Sequence, residues 1–304
     1  MIYVKGDTEF SAWARQLQND WRIKNEFPIG TYKNKKGESI ILGNYIEKDF
    51  NKANNFLTKN IREVVAETLK NKEKGAKISK TRLYTNLLSS QPLAFNLFAE
   101  LSLDLHLATK FLNRQFGKRI KEVTSIIFEH SDGRGDSEYS FDHSAFDVFI
   151  EYNSELGQKG FIGIEVKYSE SLKDEPAKYK DRYSELTTDS GMFKSDSIEI
   201  LKKKPIEQIW RDHLLSISHL NHKGKKYDDG FFVYLFPKKN RECQNGVDKY
   251  VKQFVSFDEH TNQYNEMKTG FYIRHMKEFV LDLKELCKDE WVDKFIERYF
   301  GNNS

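Results

Sequence analysis

The sequence predicts an α/β fold, with a mixed central sheet flanked by helices and a helical N-terminal extension. Three observations carry the prediction. The stretch "SSQPLAFNLFAELSLDLHLATKFLNRQF" (89–116) places apolar residues at helical spacing. Three runs of strand character follow it, "EVTSIIFEH", "SAFDVFIEY" and "GFIGIEVKY". A second helical stretch, "KPIEQIWRDHLLSISHL", and the wholly apolar "DGFFVYLF" complete the order helix, three strands, helix, strand.

In residues 1–83, "SAWARQLQNDW" and "DFNKANNFLTKNIREVVAETLKN" have helical period and are joined by the polar, Gly-containing "IGTYKNKKGESIILGN". The lysine-rich stretch ending at Arg82 connects this extension to a core over 84–240. The long helix of the core begins after serines that precede Pro92, and Leu97, Leu101, Leu105, Ala108 and Leu112 form its apolar stripe. After the first strand comes the turn-rich "SDGRGDSEYS". "NSELGQK" then joins the second and third strands at a length that suits a hairpin. The second helix starts at Pro205 and carries Ile206, Ile209, Trp210, Ile217 and Leu220 at helical spacing. Residues 241–304 add a strand, "GFYIRHM", and the helices of "KEFVLDLKELCKDEWVDKFIERYF", packed on the core.

Hydrophobic residues make up 38% of the 304 residues and charged ones 31%, a globular composition long enough to bury a core. Cys243 and Cys287 are too few and too far apart for a disulfide framework or a CxxC knuckle, so a reducing cytoplasm is expected. The opening "MIYVKGDTEF" lacks the apolar run of a secretory signal, and "FFVYLF" is too short to span a bilayer. The net charge of +3 is nearly balanced, yet basic runs recur at 33–36, 69–82, 201–204, 222–226 and 237–241. Each alone suits a solvated face, and together they suit a phosphate-binding surface. Phosphate-loop, dinucleotide and serine-elbow motifs are missing from the sequence, which argues against a nucleotide-driven motor or a serine hydrolase.

The chemistry concentrates in two strands. Along "GFIGIEVKY" (160–168), Ile162, Ile164, Val166 and Tyr168 share one face as a core surface, whereas Phe161, Gly163, Glu165 and Lys167 share the other. In the preceding strand Asp147, Phe149 and Glu151 share a face. An antiparallel pairing that aligns the apolar faces puts Asp147 beside Glu165 and Lys167. Two carboxylates and a lysine suit a hard divalent cation such as Mg2+, which takes one or two carboxylates together with phosphate oxygens and water. The lysine can then serve the attacking water or the charge on the phosphate. The triplets Glu266-Met-Lys268 and Asp282-Leu-Lys284 have the same spacing outside any strand pattern, so the spacing alone is weak. A cross-strand ion pair on a solvated face is the plain alternative for Glu165 and Lys167.

An Asp on the second strand and Glu-x-Lys on the third, in this element order, resembles the PD-(D/E)XK nuclease superfamily, the restriction-endonuclease-like fold. The resemblance covers about 84–237 and rests on "FD" at 146–147 and "EVK" at 165–167. "SSQPLAFNLFAEL", "AFDVFIEY" and "IEVKY" also resemble a family of bacterial endonucleases within it. The resemblance implies a metal-dependent DNA endonuclease using Mg2+, with Mn2+ able to substitute, and a nucleic-acid partner. Asp147 and Glu165 would bind the metal, Glu100 on the first core helix would match an extra acidic ligand, Lys167 would serve water and phosphate, and Gln208 would match a polar residue on the second core helix. Phe146 stands where many members have proline. A homodimer that cuts both strands stays open, as does a catalytically silent nucleic-acid-binding or interaction module of the same fold.

The remaining polar clusters have structural readings beside functional ones. Glu207 and Arg211 suit an i, i+4 pair beside Gln208. Asp142 and His143, in "HSDGRGDSEYSFDHS", are placed to approach the metal from a turn. His213, His219 and His222 match no usual zinc spacing. Tyr168 and Glu170, just after the motif, suit packing or closure of the site.

Overall fold

The computed structural model describes residues 4–34, 36–173 and 175–301, so Lys35 of the basic run at 33–36 lies outside the described residues. The N-terminal part contains α1 (Glu9–Lys24), β1 (Ile29–Lys33), β2 (Ser39–Ile46), α2 (Lys59–Lys70) and α3 (Lys80–Thr85). Then come α4 (Ser90–Leu103), α5 (Leu105–Phe116), β3 (Ile120–His130), β4 (Phe146–Ser154) and β5 (Lys159–Val166). Helices α6 (Asp181–Ser190), α7 (Ile198–Leu201) and α8 (Glu207–Asn221) lead to β6 (Asp229–Phe236). The chain closes with α9 (Arg241–Val251), α10 (Glu266–Thr269), β7 (Phe271–His275), α11 (Met276–Leu286) and α12 (Glu290–Phe300).

Five strands form one mixed sheet in the order β3-β4-β5-β6-β7. Strands β3, β4 and β5 run antiparallel to one another in turn, and β6 and β7 continue from β5 in parallel. The hairpin through "NSELGQK" pairs Asn153 with Lys159 and Val148 with Ile164. This register aligns the apolar sides of the two strands, because a slip of one residue would turn both sets to the wrong face.

Both faces of the sheet are covered. On one, Val148, Ile150, Ile162, Ile164 and Val166 pack with Leu97 of α4, Phe111 of α5, Phe279 of α11 and Phe295 of α12. On the other, Phe149, Phe161, Phe232 and Tyr234 pack with Ile209 and Trp210 of α8 and with Tyr250 of α9. The second face, which also carries Glu165 and Lys167, has an aromatic layer. Glycines make room for it: a Cβ on Gly163 would lie 2.3 Å from the Phe146 ring, and one on Gly230 would lie 2.2 Å from the Phe161 ring.

Three elements depart from the expectations. The long helix of 89–116 breaks at Asp104, whose φ of −125° and ψ of 81° leave the helical region while its side chain caps Leu107 N. The cap lets α5 turn to pack on β3 instead of continuing the axis of α4. The helix expected over 49–71 starts only at Lys59, capped by Thr58. The connector expected over 29–44 belongs to a hairpin over 29–46 whose polar tip, with Asn34 accepting from Lys36 N and Glu38 N and with Gly37 at φ 81°, hid two short strands. At the far end, α12 docks on α1 through Arg298. This side chain is 0% exposed and donates to Asn55 O at 2.7 Å and to Gln18 Oε1 at 3.2 Å. Among the described residues no helix is long and apolar enough to cross a membrane.

Candidate active site

Glu165 is the penultimate residue of β5, and Lys167 directly follows the strand, its amide still held by Leu235 O of β6 at 2.9 Å. Alternation turns both side chains to the α8 face, where the aromatic layer ends. They are 8% and 7% exposed, and Lys167 Nζ donates to Glu165 Oε1 at 2.5 Å. A solvated surface pair is therefore not what this strand carries. Burying two charges is costly even when they are paired, so the cluster around them needs explaining.

The β4–β5 ladder ends at Val148 and Ile164, and one step further along the same register Asp147 faces Glu165. There the strands part, and Asp147 Oδ2 accepts from Val166 N at 2.8 Å. On the other side, the pairs Phe128–Val148 and His130–Phe146 bracket Glu129, which places it opposite Asp147. Glu129, Asp147 and Glu165 thus form one row across three neighbouring strands. Glu129 sits at φ 53°, in the left-handed region that a non-glycine residue adopts at a cost of about 1–3 kcal/mol. Gln91, in the first turn of α4, donates to Glu129 Oε1 at 2.7 Å, and Arg134 donates to its backbone carbonyl.

Helix α8 closes the cluster from above. Gln208 Nε2 donates to Glu165 Oε1 at 3.3 Å. One turn further, Asp212 is 5% exposed, and its Oδ2 has no hydrogen-bond partner. The expected Glu207–Arg211 pair is present at 3.4 Å, and it leaves Gln208 free to point at the carboxylate. Arg211 also donates to Ser144 Oγ at 2.8 Å. A cavity of about 230 Å³ lined by Ser171, Lys204, Gln208 and Arg211 adjoins this end of α8.

The electrostatics are those of crowded acids. Burial, then Glu165 and Glu129, push the Asp147 carboxyl well above its ordinary range, against the opposing pull of Lys167 and the Val166 amide. Burial and then Glu165 do the same to Asp212. Glu129 is raised by burial and by Glu165, with Gln91 and Arg134 opposing. For Lys167, burial works against the ammonium, but Glu165, Asp212 and Asp147 outweigh it and hold the group above its ordinary pKa. Burial is the first cause for all three carboxyls, and one lysine does not neutralise the acids that add to it.

A divalent cation suits this donor set. Among the described residues no three Asp, Glu, His or Cys side chains are already gathered as a ligand cluster. Magnesium does not need three, since one or two carboxylates with water and phosphate oxygens suffice. Asp147 and Glu165 supply two carboxylates in register, each with one oxygen that takes no hydrogen bond from the described residues.

Of the residues singled out in the sequence, Asp147, Glu165, Lys167 and Gln208 come together. Glu100 does not. It accepts from Thr58 Oγ1 at 2.5 Å and from Asn60 Nδ2 at 3.1 Å, in the last turn of α4. Gln91 is the α4 residue that reaches the row, and nine residues at 1.5 Å each put Glu100 about 14 Å further along the axis. Asp142 is occupied within its own loop, accepting from Ser140, Ser144 and Tyr183, and His143 is exposed. His213 is held between Tyr250 and Thr269, His219 packs among Phe146, Phe149 and Phe161, and His222 stacks on Tyr139. Tyr168 is buried with its hydroxyl on Gln18, while Glu170 accepts from Ser90 N and Tyr168 N at 2.7 Å each.

Sequence reasoning missed Glu129 and Asp212. The signal for Asp212 was its place four residues after Gln208 on one helix face. That for Glu129 was its place at the end of the first strand, where extending the sheet register reaches it.

A family model described as the PD-(D/E)XK nuclease superfamily matches residues 5–301, nearly the whole chain. No curated protein and no solved structure matches it.

Proposed function

The chain belongs to the PD-(D/E)XK nuclease superfamily, and on that premise we propose that it is a metal-dependent DNA endonuclease hydrolysing phosphodiester bonds. The observation that carries this reading is the buried Glu165–Lys167 pair with Asp147 next in register, a set of charges that no packing role requires. We take 84–240 as the nuclease core, with 1–83 and 241–304 packed on it.

In this reading Asp147 and Glu165 hold Mg2+, with Mn2+ able to substitute. Once bound, the ion supplies positive charge to the phosphate and makes its bound water more acidic. The chain's own residues do the rest. Lys167, its ammonium beside Glu165 Oε1, is suited to donate to a non-bridging phosphate oxygen and to stabilise the charge that builds there. Gln208 fixes Glu165 Oε1 and so aims the carboxylate. The water oxygen bonds to phosphorus, the bridging oxygen leaves, and the proton lost by the water passes to solvent or to the leaving oxygen.

The test is cleavage of supercoiled plasmid, single-stranded DNA and RNA by wild type and Lys167→Met in Mg2+, Mn2+ or chelator. Metal-dependent cutting that falls about 10²–10³-fold in Lys167→Met supports the reading. Methionine keeps the buried volume, and a melting curve checks the fold. Metal-independent cutting rejects the metal site, and no cutting by wild type on any substrate rejects the enzyme and leaves the catalytically silent module.

A further inference from the structure

Resting on the nuclease reading, we infer that the β1–β2 hairpin carries a pocket for a single-stranded segment of the substrate, with an unpaired base on the Tyr32–Tyr45 pair and its phosphate at Arg82. The hairpin is irregular in a way that builds this pocket. Pairing runs from Ile29–Ile46 directly to Thr31–Ile41, so the residues from Leu42 to Tyr45 bulge opposite Gly30. Such a bulge bends a strand and re-aims its side chains. Here it brings Tyr45 over Tyr32, with ring centroids 5.1 Å apart and planes 14° from parallel.

The bulge is fixed from behind. Arg15 donates to Asp7 at 2.7 and 2.8 Å and to Asn44 Oδ1 at 2.5 Å, and Asn44 donates to Asn86 at 3.1 Å. Arg15 is thus fully engaged as scaffold. Arg82 is exposed and forms no ion pair among the described residues. Both tyrosines are half-buried, and neither hydroxyl has a hydrogen-bond partner among the described residues. All four residues line one cavity of about 330 Å³.

An aromatic surface, free hydroxyls and one uncommitted guanidinium at a cavity of this size match a nucleotide, whose base stacks while its phosphate meets the cation. The cavity also includes Ser169 and Glu170, two and three residues beyond Lys167. Extended chain covers at most about 11 Å over that distance, so the pocket lies close to the cluster of acids. A base within a duplex has both faces covered by its neighbours, which is why the inferred ligand is a single strand.

The test is fluorescence anisotropy of labelled oligothymidylate, oligouridylate and a short duplex with the full chain in chelator, where no metal-dependent cutting interferes. Tyr32→Ala should weaken single-strand binding about tenfold, and Tyr32→Phe should keep most of it. Arg82→Ala, at an exposed position that does not threaten folding, should lower the slope of log affinity against log salt by about 0.7. The arm with the stronger tyrosine-dependent binding identifies DNA or RNA as the source. Unchanged affinity in Tyr32→Ala together with an unchanged slope in Arg82→Ala overturns the inference, as does duplex binding with the same tyrosine dependence. Cutting that persists with tyrosine-independent binding sinks the pocket and spares the nuclease. Tyrosine-dependent binding by a chain that never cuts does the reverse.

Discussion

The two faces of the central sheet are equally buried but built differently. The face under α4, α5, α11 and α12 is mostly branched aliphatic, with Val148, Ile150, Ile162, Ile164 and Val166 in the middle. The face under α8 and α9 is aromatic, with Phe149, Phe161, Phe232 and Tyr234, and at one end it gives way to Glu165 and Lys167. The first face needs only volume and alternation. The second must seat rings over glycines and stop where the charges begin, so its packing and the geometry of the acids are coupled. Changes on the first face should therefore affect stability alone, and changes on the second should affect stability and chemistry together.

The largest effect expected is on the aliphatic face. Ile164→Ala should cost about 2–5 kcal/mol in urea unfolding and leave cleavage per folded molecule unchanged. A parallel fall in cleavage would break the distinction between the faces. Next comes the cation. At a hundredfold excess over its dissociation constant, Mg2+ should add about 2.7 kcal/mol to wild type and raise the melting temperature, because it relieves the repulsion around Asp147 and Glu165. Asp147→Asn should be more stable than wild type in chelator and gain much less from Mg2+. An equal gain in both proteins would remove Asp147 from the metal site.

Gly163→Ala should cost about 1–3 kcal/mol, since its Cβ meets the Phe146 ring at 2.3 Å. Because Phe146 is the neighbour of Asp147, cleavage should fall as well, which a comparison of rate and melting temperature will show. A pH slope tests His213, buried in the aromatic layer, where desolvation lowers its pKa to about 3. Below about pH 6.5 the unfolded chain takes up a proton that this imidazole refuses. Stability should then fall by up to about 1.4 kcal/mol per pH unit from this residue as pH drops from 6.5 towards 3. Asp147 and Asp212, whose carboxyls are raised, act in the opposite sense. The measurement is therefore the difference in pH slope between wild type and His213→Asn, and parallel slopes would count against a neutral buried imidazole.

Much of this architecture was legible because alternation is a local code. The apolar sets of β4 and β5 specified their own register, and the register carried Asp147 to Glu165. What escaped depended on groups distant in sequence. Glu129 is identified only by extending the pairing past Phe128, through a residue in a left-handed conformation that strand patterns do not foresee. Glu100 had the right residue type on the right helix, but its distance from the first turn of α4 separates it from the row, and helical period says nothing about which end meets the sheet. The break at Asp104 was masked because apolar spacing continues through it, although its capping of Leu107 is a start signal. The hairpin at 29–46 was masked by a lysine-rich tip. The burial of Glu165 and Lys167 followed from an aromatic helix–sheet layer that the strand alone does not reveal.

The docking of α12 on α1 also bears on the order of folding. Gln18 and Arg298 are 280 positions apart, and the same junction holds Tyr168, which accepts from Gln18 and meets the Tyr299 ring edge-on. Contacts of such separation form late, because the entropy of closing the loop must be overcome before they are rewarded. On a ribosome, α12 emerges only after the sheet and α8 have been made. Until it does, Tyr168, one residue past Lys167, lacks the Tyr299 ring beside it, while Leu235 O on Lys167 N and Asn240 on Tyr168 O already hold the exit of β5.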